Sequence, residues 1–571
     1  MTRRVFRRLP WVIGALIICS FVALPLIYIV VESISPPTEN WRQLTEKDPS
    51  GLLELLPPDL REEMMPERTL FSERLQGTLI ILFGVLFVST VIGVSLAWLI
   101  SAYNVPFARG FSVLLSLPLA IPSYIMAASY RLLTDDHVLA TSVYIRENYS
   151  EEAMLTFDSV WKYSIAIFTL SAAFFPYVFL AARSAFCTLS KDYLEVSKML
   201  GHSVAKTMYR VALPLARPAI LGGMVLVALE TLNEYGAMKI IGINTLLTEI
   251  FKIRSGANDM NTAVRLAGCV MLIVFVLLCV EFFLRGRKKF HASRTGGHEH
   301  VGEACSRKRA WLTTAVCSVV FLVSFGLPVL GLLLECRHAA ILDYVGDTLQ
   351  PAWDSLKLTL AAAVLMLVVA LFLGFSQRRV PSLPMRGLIR MSTLGYAIPG
   401  AILGVAILSW SGAALQYGPT NGMISGMFYT SSIGLVLAYG IRFLIVAVQP
   451  VEAGLEQIPE SIDEASTMLR RGVLFTIGKI HLPLLRPSIL MALLILVIDV
   501  IKELPLTLIL SPYNTQTLAM HTYGMFAVQE DYPRASVPAL ILIGTCVLCI
   551  LAVQLMLRPR LNSLKNVREK S

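Results

Sequence analysis

The chain has 571 residues, 55% of them hydrophobic and 15% charged, and a mean hydropathy of +0.66 excludes an ordinary soluble globular protein. Apolar runs of about 20 residues, the length that crosses a hydrocarbon core, recur from end to end, so the expectation is an all-α integral membrane protein. The formal net charge of +10 sits mainly in segments between those runs, which points to anionic lipid as the neighbour rather than nucleic acid.

In chain order the predicted spans are 11 to 31, 78 to 100, 111 to 130, 161 to 183, 218 to 235 and 263 to 284, then 311 to 334, 355 to 375, 388 to 410, 431 to 449, 487 to 504 and 537 to 557. That makes twelve transmembrane helices. The first follows Arg3, Arg4, Arg7 and Arg8 as a secretory leader would, but it is too long for a leader and lacks a small-residue cleavage site, so it is read as retained. Basic residues also crowd Arg285 to Arg309 and the tail from Arg558 to Lys570, and an even number of spans separates the three basic segments. The positive-inside rule then places them, and both termini, on the cytoplasmic side. The alternate loops 32 to 74 and 131 to 160 carry acids such as Glu62, Glu63, Glu67, Asp135, Asp136, Glu151 and Glu152.

Nine cysteines, an odd number, lie mostly inside apolar runs and imply no disulfide framework. Cys546 and Cys549 form a C-x-x-C without supporting ligands and read as packing residues. His298, His300 and Cys305 could ligate a metal, but their Gly- and charge-rich surroundings read first as a flexible linker. No stable metal site and no bound cofactor are expected.

The linker lies near the midpoint, and the two sides of it repeat. Glu195 and Glu464 are 269 positions apart, as are Asp192 and Ser461, Leu213 and Leu482, Pro214 and Pro483, Arg217 and Arg486, and Pro218 and Pro487. The register continues into "LETLNEYG" over "IDVIKELP", which pairs Glu230 with Asp499 and Glu234 with Glu503. Upstream the offset drifts: "AIPS" at 120 to 123 matches "AIPG" at 397 to 400, and "GTL" at 77 to 79 is set against "LTL" at 358 to 360. The chain thus divides into a first repeat, 1–285, a basic linker, 286–310, and a second repeat, 311–571. Six spans per repeat give both the same orientation, a parallel duplication with a pathway expected between the halves.

Each repeat carries a polar segment, 190–217 and 459–486, ending in Leu-Pro just before its fifth span. Asp192 with Glu195, and Ser461 with Glu464, have the spacing of a capping box. Spacing alone leaves two readings open, a plain amphipathic connector or a functional one. The first copy has Glu195, Gly201, Val211, Leu213 and Pro214, and the second has Glu464, Ala465, Ile480, Leu482 and Pro483. These resemble the E-A-A-x3-G-x9-I-x-L-P loop of permease subunits in ATP-binding-cassette importers. The resemblance implies a type I importer permease fold and a short coupling helix in each loop, docked on an ATPase subunit through Glu195 and Glu464.

No G-x-x-x-x-G-K-[ST] occurs in the chain. ATP would therefore be hydrolysed by two partner ATPase subunits, leaving this chain a transport subunit and not an enzyme. The second loop departs from the pattern by placing Arg470 at the glycine position. Glycine tolerates positive φ where other residues resist it, so this loop is expected to turn differently.

"KELPLTLILSPYNTQTLA" (502 to 519) resembles the corresponding stretch of fused ferric-iron permeases, which receive their cargo from a periplasmic binding protein, and "ETLNEYG" (230 to 236) resembles its partner segment. Ferric iron is the substrate this implies, with thiamine, polyamine and sulfate permeases as relatives sharing the loop. An ion-coupled secondary transporter remains the alternative of another class. Glu230, Glu234, Asp499, Lys502 and Glu503 sit at the predicted outer ends of the fifth and eleventh spans. They read either as a polar path or outer gate, or as a structural cluster in which Lys502 neutralises an acid and Leu504-Pro505 ends the helix.

Overall fold

The computed structural model describes residues 2–46, 69–103, 105–188, 199, 203–257, 259–285, 307–337, 341–417, 432–512 and 514–568. Asp192, Glu195, Gly201 and the His298, His300 and Cys305 group lie outside the described residues. Among the described residues the elements are all helical. The principal helices are α1 (Thr2–Glu32), α2 (Leu70–Ala102), α3 (Ser123–Asn148), α4 (Glu151–Thr188), α5 (Leu213–Leu232) and α6 (Met260–Arg285) in the first repeat. In the second they are α7 (Arg307–Phe321), α8 (Leu327–Cys336), α9 (Ile341–Arg379), α10 (Gly400–Tyr417), α11 (Ser432–Glu456), α12 (Glu460–Met468), α13 (Leu482–Ile501) and α14 (Tyr532–Arg568).

Among the described residues, ten helices are long and apolar enough to cross a membrane, with an eleventh candidate in a pair bent by 89°. The difference from twelve lies in the third segment of each repeat. Ile121 and Ile398 precede prolines and take extended φ/ψ of −92°/116° and −101°/129°, because the proline ring disfavours the α region for the residue before it. The matched "AIP" tripeptides are therefore breaks. In the first repeat the break separates the short helices of 108–120 from α3. In the second it leaves α10 as the apolar remainder, too short to count as a full span.

The chain forms two compact units. One unit comprises Met1–Ser35, Ile341–Thr522 and Ile541–Ser571. Within it α1 packs on α9, α10 and the short helix Leu383–Ser392, with Trp11 stacked on Phe372 at 5.3 Å between ring centroids. The other unit comprises Pro36–Ala340 and Tyr523–Leu540. There α2 and α5 pack on α4, while α7 meets α2 and α8 meets α3. The helices that open each repeat are thus housed with the body of the opposite repeat.

Glycines permit the tightest crossings. A Cβ on Gly93 of α2 would sit 2.9 Å from the Phe179 nitrogen, and one on Gly223 of α5 would sit 2.9 Å from the Val178 Cα. Both helices therefore lie against one stretch of α4, and small residues admit this close approach of backbones in a membrane. Away from these contacts, Phe83 and Phe87 of α2 and Leu272 and Phe275 of α6 are exposed, as side chains facing lipid would be.

The Leu-Pro steps do not open new helices. Five-residue π turns, Met208–Ala212, Leu322–Gly326 and Ile477–His481, immediately precede Leu213-Pro214, Leu327-Pro328 and Leu482-Pro483. Proline lacks the N–H of the helical ladder and crowds the preceding turn, and a widened turn accommodates both defects without ending the helix. The spans accordingly run on, as in Val473–Ile501.

Candidate functional site

The loop of the second repeat is a helical hairpin. Its first arm is α12, which carries Glu464 and Ala465 on its exposed side. The turn that follows is a Schellman motif: Arg470 N–H donates to the Thr467 carbonyl and Arg471 N–H to the Ser466 carbonyl, each at 3.0 Å. Arg470 occupies the left-handed position of that motif, with φ of 54°. The second loop therefore makes the turn that glycine would favour, at a backbone cost of about 1–2 kcal/mol. The Ser466 and Thr476 hydroxyls, 2.5 Å apart, tie the two arms together.

The capping box predicted for the second loop does not form. Helix α12 begins one residue before Ser461, its N-cap is Pro459, and no side chain caps it. The helix entry is held from outside instead. Arg378, near the end of α9, donates to the carbonyls of Leu455 at 2.8 Å, Ile458 at 3.0 Å and Pro459 at 3.1 Å, and through Nε to Asp463 Oδ2 at 2.6 Å. His481 Nε2 lies 3.1 Å from the other oxygen of Asp463. One guanidinium thus satisfies carbonyls left over at the end of α11 and fastens α12 to α9. Nothing in the spacing of the repeat signalled Arg378, Asp463 or His481.

Met468, Leu469 and Leu474 around the turn are 84%, 73% and 85% exposed. Together with Glu464 and Ala465 they form an apolar patch with a charged edge on an extramembrane hairpin. In the first repeat the described part of the loop resumes at 203, and the helix runs from its π turn through Leu213 and Pro214 into α5.

The predicted gate residues occupy matched places just beyond or within the last turn of α5 and α13. Glu230 and Asp499 lie in those last turns, and Lys502 is the C-cap of α13. Lys502 Nζ pairs with Asp499 at 3.2 Å, as the structural reading anticipated. Leu504-Pro505 lies past the end of α13, and Pro505 opens the next short helix, Pro505–Leu510. Glu234 and Glu503 each turn back onto such a helix: Glu234 Oε1 accepts from Ala237 N–H at 2.8 Å, and Glu503 Oε1 from Leu506 N–H at 3.0 Å.

Beyond this shared cap the repeats diverge. Glu503 faces Arg442 of α11, with Arg442 Nε 3.5 Å from Glu503 Oε2 and the two side chains 5% and 6% exposed. Arg442 also donates to the Ile398 carbonyl at the break before α10, and a Cβ on Gly400 would collide with both charged groups. Tyr439 and Thr507 share a hydroxyl contact of 2.6 Å beside them. In the first repeat Glu234 instead accepts from the Ser123 hydroxyl. Tyr235, next to it, packs beside Tyr523, with ring centroids 5.9 Å apart. Burial pushes both phenols up.

The repeats also share a hydroxyl clasp. Thr78 accepts from Leu246 N–H at 3.0 Å and Ser355 from Leu518 N–H at 2.6 Å. Thr78 and Ser355 are 277 positions apart, the offset of the "AIP" pair, so "GTL" corresponds to the triplet around Ser355 and not to "LTL" at 358. Among the described residues no cluster of three or more His, Cys, Asp or Glu is placed to hold a metal ion.

Known proteins resemble the chain along most of its length. It is 25% identical over 480 residues to the Fe(3+)-transport system permease protein FbpB 2 of Haemophilus influenzae, covering 83% of this chain and 88% of that one. It is 24% identical over 437 residues to the ferric transport system permease protein FbpB of Actinobacillus pleuropneumoniae, covering 71% of this chain and 60% of that one. A probable sulfate transport system permease protein cysT of Helicosporidium is 23% identical over 197 residues, covering 34% of this chain and 70% of that one. Residues 89–287 and 366–563 both match the binding-protein-dependent transport system inner membrane component family, and the chain, a duplicated all-helical permease, belongs to that family.

Proposed function

We propose that this chain is the permease of an ATP-driven importer that accepts ferric iron from a periplasmic binding protein and passes it through the inner membrane by alternating access. The observation that carries the substrate is the near full-length match to a relative named as an Fe(3+) permease. Glu230 and Glu234 near the end of α5 suit a cation better than an oxyanion such as sulfate. Two ATPase subunits complete the assembly, one on each polar loop, with both termini on the same cytoplasmic side. The exposed Met468, Leu469 and Leu474 beside Glu464 and Ala465 supply the kind of surface a docking groove covers. A hairpin fastened to α9 by Arg378 can carry closure of the ATPases into the membrane helices.

Reconstitution of the chain with its ATPase and binding protein in liposomes tests the proposal. Iron-loaded donor is expected to stimulate ATP hydrolysis and drive radiolabelled iron inward, and replacing Glu195 and Glu464 together is expected to abolish both. Stimulation by sulfate- or polyamine-loaded donor in place of iron would overturn the substrate while leaving the family untouched.

A further inference from the structure

The segment that joins α3 to α4 in the first repeat is longer than its counterpart. Ser123 and Ala173 are 50 positions apart, where the matched Gly400 and Arg442 are 42 apart. Helix α4 runs for 38 residues, about 57 Å at 1.5 Å per residue, against a hydrocarbon core of about 30 Å. Its first turns and the last turns of α3 therefore extend beyond the membrane as a helical hairpin, with Tyr149 and Ser150 at the turn. In the orientation proposed above, that side is the outer one.

The two helices pack on each other, and Thr134, Val138, Ser142 and Ile145 are half-buried at helical spacing along one face of α3. Other faces are uncovered: Leu139, Tyr144, Tyr149 and Leu155 are each more than half exposed. Between Tyr144 and Leu155 stand three exposed acids, Glu147, Glu151 and Glu152, and a single base, Arg146. Nearer the membrane the bases are already taken, since Arg131 pairs with Asp135 at 3.0 Å and Lys162 with Asp158 at 2.6 Å. The tip is thus aromatic and apolar with a surplus of negative charge. Anionic headgroups repel such a surface, whereas a protein with a basic rim complements it.

The foot of the hairpin is tied to the segment that follows α5. Arg131 Nη1 donates to the Ile240 carbonyl at 2.6 Å, near the end of the short helix Gly236–Ile241, and Glu234 accepts from Ala237 N–H at the start of that helix. A carboxylate at the first turn and a guanidinium at the last suit its dipole. In the second repeat, at the offset of the "AIP" pair, the position of Arg131 is held by the buried Leu408, which has no hydrogen bond to give.

We propose that the tip of the α3–α4 hairpin is the docking arm for the periplasmic binding protein, which meets it with a basic-rimmed surface, and that Arg131 passes docking on to the short helix beside Glu234. The proposal rests on the importer reading above and holds for whichever cargo the donor carries. The family is binding-protein-dependent, so a donor needs a foothold on the outer side, and exposed tyrosines among charges of one sign are suited to a protein interface. A packed pair of helices moves as one piece, and the Arg131 hydrogen bond carries that movement to the helix that Glu234 caps. Arg131 is a positioning residue, since it acts through that helix.

The test uses the full-length permease with its ATPase subunits in nanodiscs and the cargo-loaded binding protein added at rising concentration, with donor binding and ATP hydrolysis read in parallel. Tyr144→Ala with Tyr149→Ala, and Glu151→Lys with Glu152→Lys, alter exposed side chains only. Each pair is expected to weaken donor binding at least about tenfold, with basal hydrolysis and the thermal unfolding midpoint unchanged. Added salt should weaken the parent's donor binding more than that of the charge-reversed pair. Arg131→Gln is expected to leave donor binding at parental strength and to lower the maximal stimulated hydrolysis severalfold, with Arg131→Lys restoring part of it. Tip variants that bind donor as the parent does overturn the docking arm. If they instead change the mass of the particle, or its unfolding midpoint as anionic lipid is varied, the face belongs to a second copy or to lipid. Full stimulation of Arg131→Gln overturns the link to the short helix. A parent that answers no donor overturns the importer reading, whereas a parent and tip variants that answer equally remove only the arm.

Discussion

At position 442 the second repeat buries an arginine where the first buries Ala173, and the consequence falls on Glu503. Two charges this deep are held by one another and by the Leu506 N–H and Ile398 carbonyl. Removing one leaves the other uncompensated. Arg442→Met or Glu503→Gln alone is therefore expected to destabilise by about 3–5 kcal/mol, and the two together to recover most of that loss, as a double-mutant cycle of unfolding midpoints in detergent would read. The acid was legible in the sequence because the repeat placed Glu503 over Glu234 at one offset. Its partner was not: an arginine inside an apolar run does not declare which of several distant acids it will face.

Among the elements, the hairpin after α11 shows what local pattern can and cannot convey. The polar segment and its Leu-Pro step were readable because both are local, although the helix runs through that step rather than ending there. The start of α12 was not, because a spacing that looks like a cap competes with Pro459 and with Arg378 arriving from another helix. Arg378→Gln loses the charge that meets Asp463 and three carbonyls, an expected cost of about 2 kcal/mol. Donor-stimulated ATP hydrolysis should fall more than the basal rate, with Arg378→Lys restoring only part, because a single ammonium cannot span the fork of acceptors. Arg470→Gly has the opposite sign: relieving the positive φ is expected to raise stability by up to about 1 kcal/mol, read as a higher unfolding midpoint.

On the scale of the molecule, the exchange of opening helices means that neither repeat carries a complete unit. Helix α1 packs with the second repeat's α9 and α10, and α7 and α8 with the first repeat's α2 and α3. Co-expressed pieces 1–285 and 307–571 are expected to copurify as a stable pair, whereas 1–285 alone should aggregate in detergent for want of α7 and α8. Separation of the coexpressed pieces during size-exclusion chromatography would contradict this.

By itself the sequence determined the membrane class, the duplication, the place of the polar loop in each repeat and the matched acids. All of these rest on hydrophobic run length and on repetition at fixed offsets, which need no knowledge of contacts. Only the tertiary structure decided that the "AIP" steps break a span, that opening helices cross to the other repeat, and that one acid faces Arg442 while its twin accepts from the Ser123 hydroxyl. These depend on which apolar face meets which, and lipid-facing helices of similar composition leave that choice unmarked until backbones and buried charges are packed together.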